Sequence, residues 1–93
     1  MTETIYICLY EPEGELRYDD ITRVLGVFTT IEQARERLIK EIDYDIQHNE
    51  YVVDKDDYDN FKNGENMWIN VFYQNEDYRQ YYCMTIIQSE VNL

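Results

Sequence analysis

The stretch Gly26-Val27-Phe28-Thr29-Thr30-Ile31-Glu32-Gln33-Ala34-Arg35-Glu36-Arg37-Leu38-Ile39-Lys40-Glu41-Ile42 is where the chain changes its hydrophobic period, and that change decides the fold. Up to Phe28 the pattern is that of a strand running from Ile21, with Val24 and Phe28 on one face and Ile21, Leu25 and Val27 on the other. Beyond it, Ile31, Ala34, Leu38, Ile42 and Ile46 recur every three or four residues and Ile39 widens the stripe, which predicts an amphipathic helix over Thr30 to His48. Thr29 with Glu32, or Thr30 with Gln33, supplies a capping box in either register. Glu36 and Lys40 stand at the favourable i, i+4 spacing on the outer face.

Toward the N-terminus, Thr4 to Tyr10 alternates strictly, placing Ile5, Ile7 and Leu9 on one face of a strand and Tyr6, Cys8 and Tyr10 on the other. Glu11 to Asp20 contains Pro12, Gly14 and a run of acids, the composition of a solvated turn, so the first two strands read as a hairpin with an acidic tip. Past the helix, Asp54, Asp57, Tyr58, Phe61 and Gly64 could build a short second helix with an acidic start and a glycine stop. Met67 to Tyr73 and Tyr78 to Gln88 read as strands joined by a turn at Gln74 to Asp77, and Ser89 to Leu93 as a frayed tail. The expectation is one α+β domain over 1–93: a four-stranded, mainly antiparallel ββαββ sheet with one main helix on one face and the other face partly wet.

Composition narrows the function. The 93 residues amount to a single core, with 20 acidic against 8 basic side chains and a net charge of −12. That charge disfavours direct contact with nucleic acid or an anionic membrane. No basic opening region precedes the first apolar run, and no segment approaches the roughly 20 apolar residues of a membrane span, so a soluble protein of the cytoplasm is expected. Cys8 and Cys83 read as reduced residues that could pair only if their strands are neighbours.

Catalysis is not expected. His48, Ser89 and two strand cysteines cannot supply nucleophile, base and orienter, and His48 suits a helix C-terminus. Asp54, Asp56, Asp57 and Asp59 resemble the start of a calcium loop, but the sixth position is Asp59 where glycine is required and the fifth is Tyr58. No metal, cofactor or glycine-rich phosphate loop is expected.

Two features call for explanation. Residues 1–20 sum to −5 and residues 41–60 to −7, while 21–40 sum to +2, so the acidity lies in two blocks. Such clustering costs stability through self-repulsion, although acids also keep a small domain soluble. There are also ten tyrosines, a side chain with large contact area and a polar tip that suits interfaces and also fits a strand for its β-propensity. Acids interleaved with tyrosines can imitate phosphates interleaved with bases. The candidate partner-binding residues are therefore Glu11, Glu13, Glu15, Asp19 and Asp20 in the first block, with Asp43, Asp45, Glu50, Tyr51, Asp54, Asp56, Asp57, Tyr58 and Asp59 in the second.

At Gly26-Val27-Phe28-Thr29-Thr30-x-Glu32-x-Ala34 the chain resembles small bacterial and phage domains in which a hairpin ending Gly-Val-Phe-Ser/Thr runs into a capped helix. That resemblance implies a strand-to-helix junction and no activity. In size, acidity and tyrosine content the chain also resembles phage-encoded inhibitors of host defence, the anti-CRISPR and anti-restriction proteins that mimic nucleic acid. This second likeness implies an inhibitor that fills the basic groove of a nucleic-acid-binding protein in a bacterial host. The competing expectation is an interaction or adaptor domain that binds through a strand edge or a tyrosine face. Self-association into a homodimer is compatible with either.

Overall fold

The computed structural model describes residues 1–14, 22–73 and 80–92. Its elements are β1 (Thr2–Gly14), β2 (Arg23–Phe28), α1 (Ile31–His48), β3 (Tyr51–Val52), α2 (Lys55–Lys62), β4 (Trp68–Tyr73) and β5 (Gln80–Asn92). The sheet is five-stranded and antiparallel, in the order β2-β1-β5-β4-β3. The α+β class and both hairpin pairings stand, but the expected four strands become five and the short second helix is real. Among the described residues no helix is long and apolar enough to cross a membrane.

The main departure lies in the centre of the sheet. β1 and β5 pair along all thirteen residues of each, from Thr2 opposite Asn92 to Gly14 opposite Gln80. The tail expected to fray is therefore paired through Asn92, and the first part of the expected acidic turn continues β1 through Gly14. β2, as described, starts at Arg23 opposite Tyr10. Pro12 thus lies where β1 has a single described neighbour, the kind of edge position that tolerates a missing amide donor.

The core occupies one face of the sheet. Cys8, Tyr82, Met84, Ile86, Ile69 and Val71 enclose it from the strands, with Ala34, Leu38 and Ile42 of α1 and Phe61 of α2 above them. The alternation of β1 has the parity read from the sequence, but the Tyr6, Cys8 and Tyr10 face is the one under the helix. The small pair Cys8 and Ala34 marks the closest approach of α1, where the Cys8 thiol donates to the Ala34 carbonyl at 3.4 Å. β2 departs from simple alternation. Cys8 pairs with Gly26 and Leu9 with Val24, so Leu25 is the extra residue of a bulge. Leu25 and Phe28 consequently pack on the core while Val24 and Val27 lie on the other face. Gly26 is what lets Phe28 lie back over β2, since a Cβ there would stand 2.8 Å from the ring.

Both helices carry the caps their sequences encode. The Thr30 side chain accepts from the Gln33 amide at 3.2 Å, which selects the second of the two capping registers. Asp54 accepts from the Asp57 amide at 3.1 Å and starts α2. At its other end the Gly64 amide bonds to the Phe61 carbonyl and the Glu65 amide to Asn60, with Gly64 at φ +87, a Schellman closure that needs the left-handed glycine. Asp54→Ala is expected to cost about 1 kcal/mol, read as a lower urea midpoint at unchanged m-value. The ion pair on α1 is Arg37 with Glu41 at 3.1 Å rather than the expected Glu36 with Lys40.

Cys8 and Cys83 are both free. Their strands are neighbours, yet Cys8 pairs with Ile86 and Cys83 with Glu11. An odd offset of three residues puts the two thiols on opposite faces, about 10 Å apart along the strand, beyond disulfide reach.

Candidate functional site

The structure divides the candidate residues into three groups. Glu15, Asp19 and Asp20 lie outside the described residues, as does the side chain of Glu13, while Glu11 is half-buried on β1. Asp43, Asp45, Tyr51 and Tyr58 are turned toward the interior. Glu50, Asp54, Asp56, Asp57 and Asp59 are exposed.

The inward group explains itself by hydrogen bonding. Asp43 and Asp45 flank the buried Ile42 on α1, one on each side, because successive helical residues rotate by about 100°. The Tyr58 hydroxyl of α2 donates to Asp43 Oδ1 at 2.5 Å. The Tyr82 hydroxyl of β5 donates to Asp45 Oδ2 at 2.5 Å, and the Asn49 amide supplies Asp45 Oδ1 at 2.8 Å. These two carboxylates tie α1 to α2 and to the sheet, a role that composition alone could not separate from partner binding. Burial, with the Asp43 hydrogen bond and charge behind it, pushes the Tyr58 hydroxyl up to about 12. Burial foremost, then Asp45, drives Tyr82 upward as well. Both phenols stay protonated donors at neutral pH.

Around Asp45 lies a cleft of about 390 Å³ lined by Tyr10, Arg23, Glu41, Asn49, Tyr51, Tyr73 and Tyr82. Its tyrosines contact one another: Tyr10 and Tyr82 have centroids 4.9 Å apart, Tyr51 and Tyr82 5.2 Å, Tyr51 and Tyr73 5.6 Å. Arg23 of the chain itself covers the Tyr10 ring at 4.6 Å. The tyrosines of this cleft pack on one another and on the core, whereas Tyr44 on α1 is 57% exposed.

A residue that periodicity missed is Arg35, on the buried side of α1 with 8% of its surface exposed. Its guanidinium donates to the Phe61 carbonyl at 2.5 Å and to the Asn66 carbonyl at 2.8 Å, and stands 5.0 Å from the Phe61 ring centroid. It meets carbonyl dipoles at the C-terminal end of α2 in place of a carboxylate, the end of a helix where a cation is favoured. Burial pulls its pKa down from the ordinary 12.5 while Glu32, one turn away, opposes the shift. Its flank opens onto a shallow groove of about 470 Å³ between α1 and the end of α2, bordered by Glu32, Glu36 and Lys62.

The outward group is concentrated on α2. Asp54, Asp56, Asp57 and Asp59 are all exposed on a helix capped at both ends and pinned by Phe61, which is fully buried. Among the described residues none of the four forms an ion pair. Asp54, Asp56 and Asp57 also serve the helix locally, since negative charge in a first turn suits the macrodipole. Asp59 lies beyond that turn. Among the described residues no three His, Cys, Asp or Glu side chains converge as a metal site. Burial raises the Cys8 thiol, with Arg37 pulling the other way, and the sulfur, fully buried against Ala34, is a packing atom.

Compared with protein-family models, curated proteins and solved structures, the chain matches none.

Proposed function

We propose that the protein is an acidic, non-catalytic inhibitor that presents its carboxylates to the basic groove of a nucleic-acid-binding protein in place of the polyanion. The observation that supports this reading best is the cluster of exposed carboxylates fixed around α2, with Asp56 and Asp59 on one side three residues apart. From Asp54 to Asp59 the chain advances about 7.5 Å and carries four acids against Lys55, a net charge every 2.5 Å or so, a density somewhat below the one charge per roughly 1.7 Å along a duplex axis but of the same order. The cluster is held by caps and by Phe61, so little ordering entropy is lost when a partner meets it. Within the second block the interior roles of Asp43, Asp45, Tyr51 and Tyr58 withdraw them from the proposed contact surface and leave Glu50, Asp54, Asp56, Asp57 and Asp59, beside the acids of the first block, to carry it.

The test is affinity capture from a bacterial lysate on the immobilised protein. A basic nucleic-acid-binding protein is expected on the matrix at about 50 mM salt, displaced by added duplex DNA or RNA and released by about 0.5 M NaCl. The double substitution Asp56→Lys with Asp59→Lys keeps the Asp54 cap and is expected to weaken capture at least tenfold with the thermal midpoint nearly unchanged. Retention indifferent to salt, to competing nucleic acid and to that variant would remove the carboxylate cluster from the interface.

A further inference from the structure

The sheet has a second face. Both helices pack on the face that holds the core, so among the described elements none covers the other. An antiparallel sheet with one wet face ordinarily alternates apolar inward and polar outward. This one does not. Val27, Ile7 and Ile87 stand directly opposite one another across β2, β1 and β5, and Val24, Leu9, Thr85 and Trp68 form the next row across β2, β1, β5 and β4. Val24 is 61% exposed, Val27 53%, Trp68 52% and Ile87 42%. Exposed apolar side chains in continuous cross-strand register form a patch, and patches of this kind mark association surfaces.

We propose that this open face is where two copies of the chain associate, sheet against sheet about a twofold axis. Charge selects the occupant. With a net −12, two copies repel each other over most of their surface. The two apolar rows carry no ionisable acid or base, and the described acids of this face, Glu3 and Glu11, lie near the ends of β1. A basic partner gains nothing electrostatically at such a patch, whereas a second copy finds there a neutral, self-complementary surface of the kind an isologous contact needs. The size also fits. The strands range from two residues in β3 to thirteen in β1 and β5, and at about 4.8 Å between strands the whole sheet face presents on the order of 600 Å² per copy, roughly 1,200 Å² for the pair, at the lower edge of stable interfaces. The bulge at Leu25 completes the surface, because it rotates Val24 and Val27 together onto this side.

The proposal is independent of the inhibitor reading, and salt separates the two. Screening weakens a carboxylate cluster bound to a basic groove but relieves repulsion between two acidic copies, so self-association strengthens as salt rises. The experiment is sedimentation of the whole chain from about 5 to 500 µM in low and in about 0.5 M NaCl, with emission of Trp68, the single tryptophan, followed over the same series. The expected result is a mass rising from the 11.4 kDa of one chain toward twice that, more steeply at high salt, with Trp68 emission moving to shorter wavelength. Ile87→Lys, on an interior strand with no free backbone edge, is expected to weaken association at least tenfold while the urea midpoint holds. Should that variant unfold, Val27→Lys makes the same test at a more exposed position. A wild-type chain that stays single at the highest concentration and salt overturns the proposal. So does a dimer undiminished by these substitutions, which would place the contact at the β2 edge, or one that salt dissociates.

Discussion

Arg35→Ala is expected to lower the stability of the fold by about 3 kcal/mol, with the urea midpoint falling and α2 loosening first. The size follows from what the guanidinium does: two charge-assisted hydrogen bonds, each worth about 1.5–3 kcal/mol, go to the Phe61 and Asn66 carbonyls. The Phe61 carbonyl keeps the Gly64 amide after the substitution, while the Asn66 carbonyl loses the partner described for it. Truncation also empties the space beside Phe61 and Met67. Arg35→Met isolates the two contributions. It restores most of the volume without a donor and is expected to recover about 1 kcal/mol. Full recovery with methionine would show that Arg35 acts by packing alone. Because a domain of this size is stable by only about 5–15 kcal/mol, the alanine variant should also expose α2 amides to hydrogen exchange well before global unfolding.

Tyr82→Ala is expected to cost more, about 4 kcal/mol, since the side chain is almost fully buried and is the largest in the core. It removes the ring that Tyr10 and Tyr51 both touch and the hydroxyl that supplies Asp45 Oδ2. Tyr82→Phe separates ring from hydroxyl and should cost about 1–2 kcal/mol, the price of one buried donor. The same residue sets an alkaline limit. Below the ordinary phenol value of 10.0 Tyr82 is protonated in both folded and unfolded chains. As pH rises past it the unfolded chain releases a proton that the folded chain retains, so stability falls above about pH 10 and its loss deepens with pH. Tyr58, held up to about 12, adds to the loss in the same direction. Tyrosinate absorbance should therefore show these two phenols ionising late or together with unfolding, and Tyr82→Phe should flatten the alkaline decline. A decline of unchanged steepness in Tyr82→Phe would mean that other groups set it.

The sequence was informative wherever structure is local. The Thr30 and Asp54 caps, the length of α1 and the Gly64 stop each depend on residues within a few positions of one another, and the two hairpins join strands that follow each other directly in the chain. What it hid depends on partners distant in the chain. Ser89 to Asn92 looks polar and loose until Thr2 to Ile5 is laid beside it, and the two-residue β3 at Tyr51 and Val52 is too short for any period to register. Parity along β1 was readable, but which parity faces the core was not, since that is set by where α1 lands. Alternation in β2 failed at Leu25 because a bulge is defined by the opposite strand. The site suffered similarly: Asp43 and Asp45 look like solvated acids until Tyr58 and Tyr82 arrive from elsewhere, and Arg35 looks like a surface residue until the end of α2 closes over it.

The union of β1 with β5 has a consequence for how the molecule is made. β1 has as its longest neighbour β5, some 80 residues further along the chain, so the middle of the sheet is empty until β5 has been synthesised. Until then Tyr6 to Tyr10 has β2 on one edge and an open edge on the other, an invitation to aggregation during translation. The distance in sequence between these two strands also slows the search for the native pairing, placing the domain among slower folders than its modest length suggests.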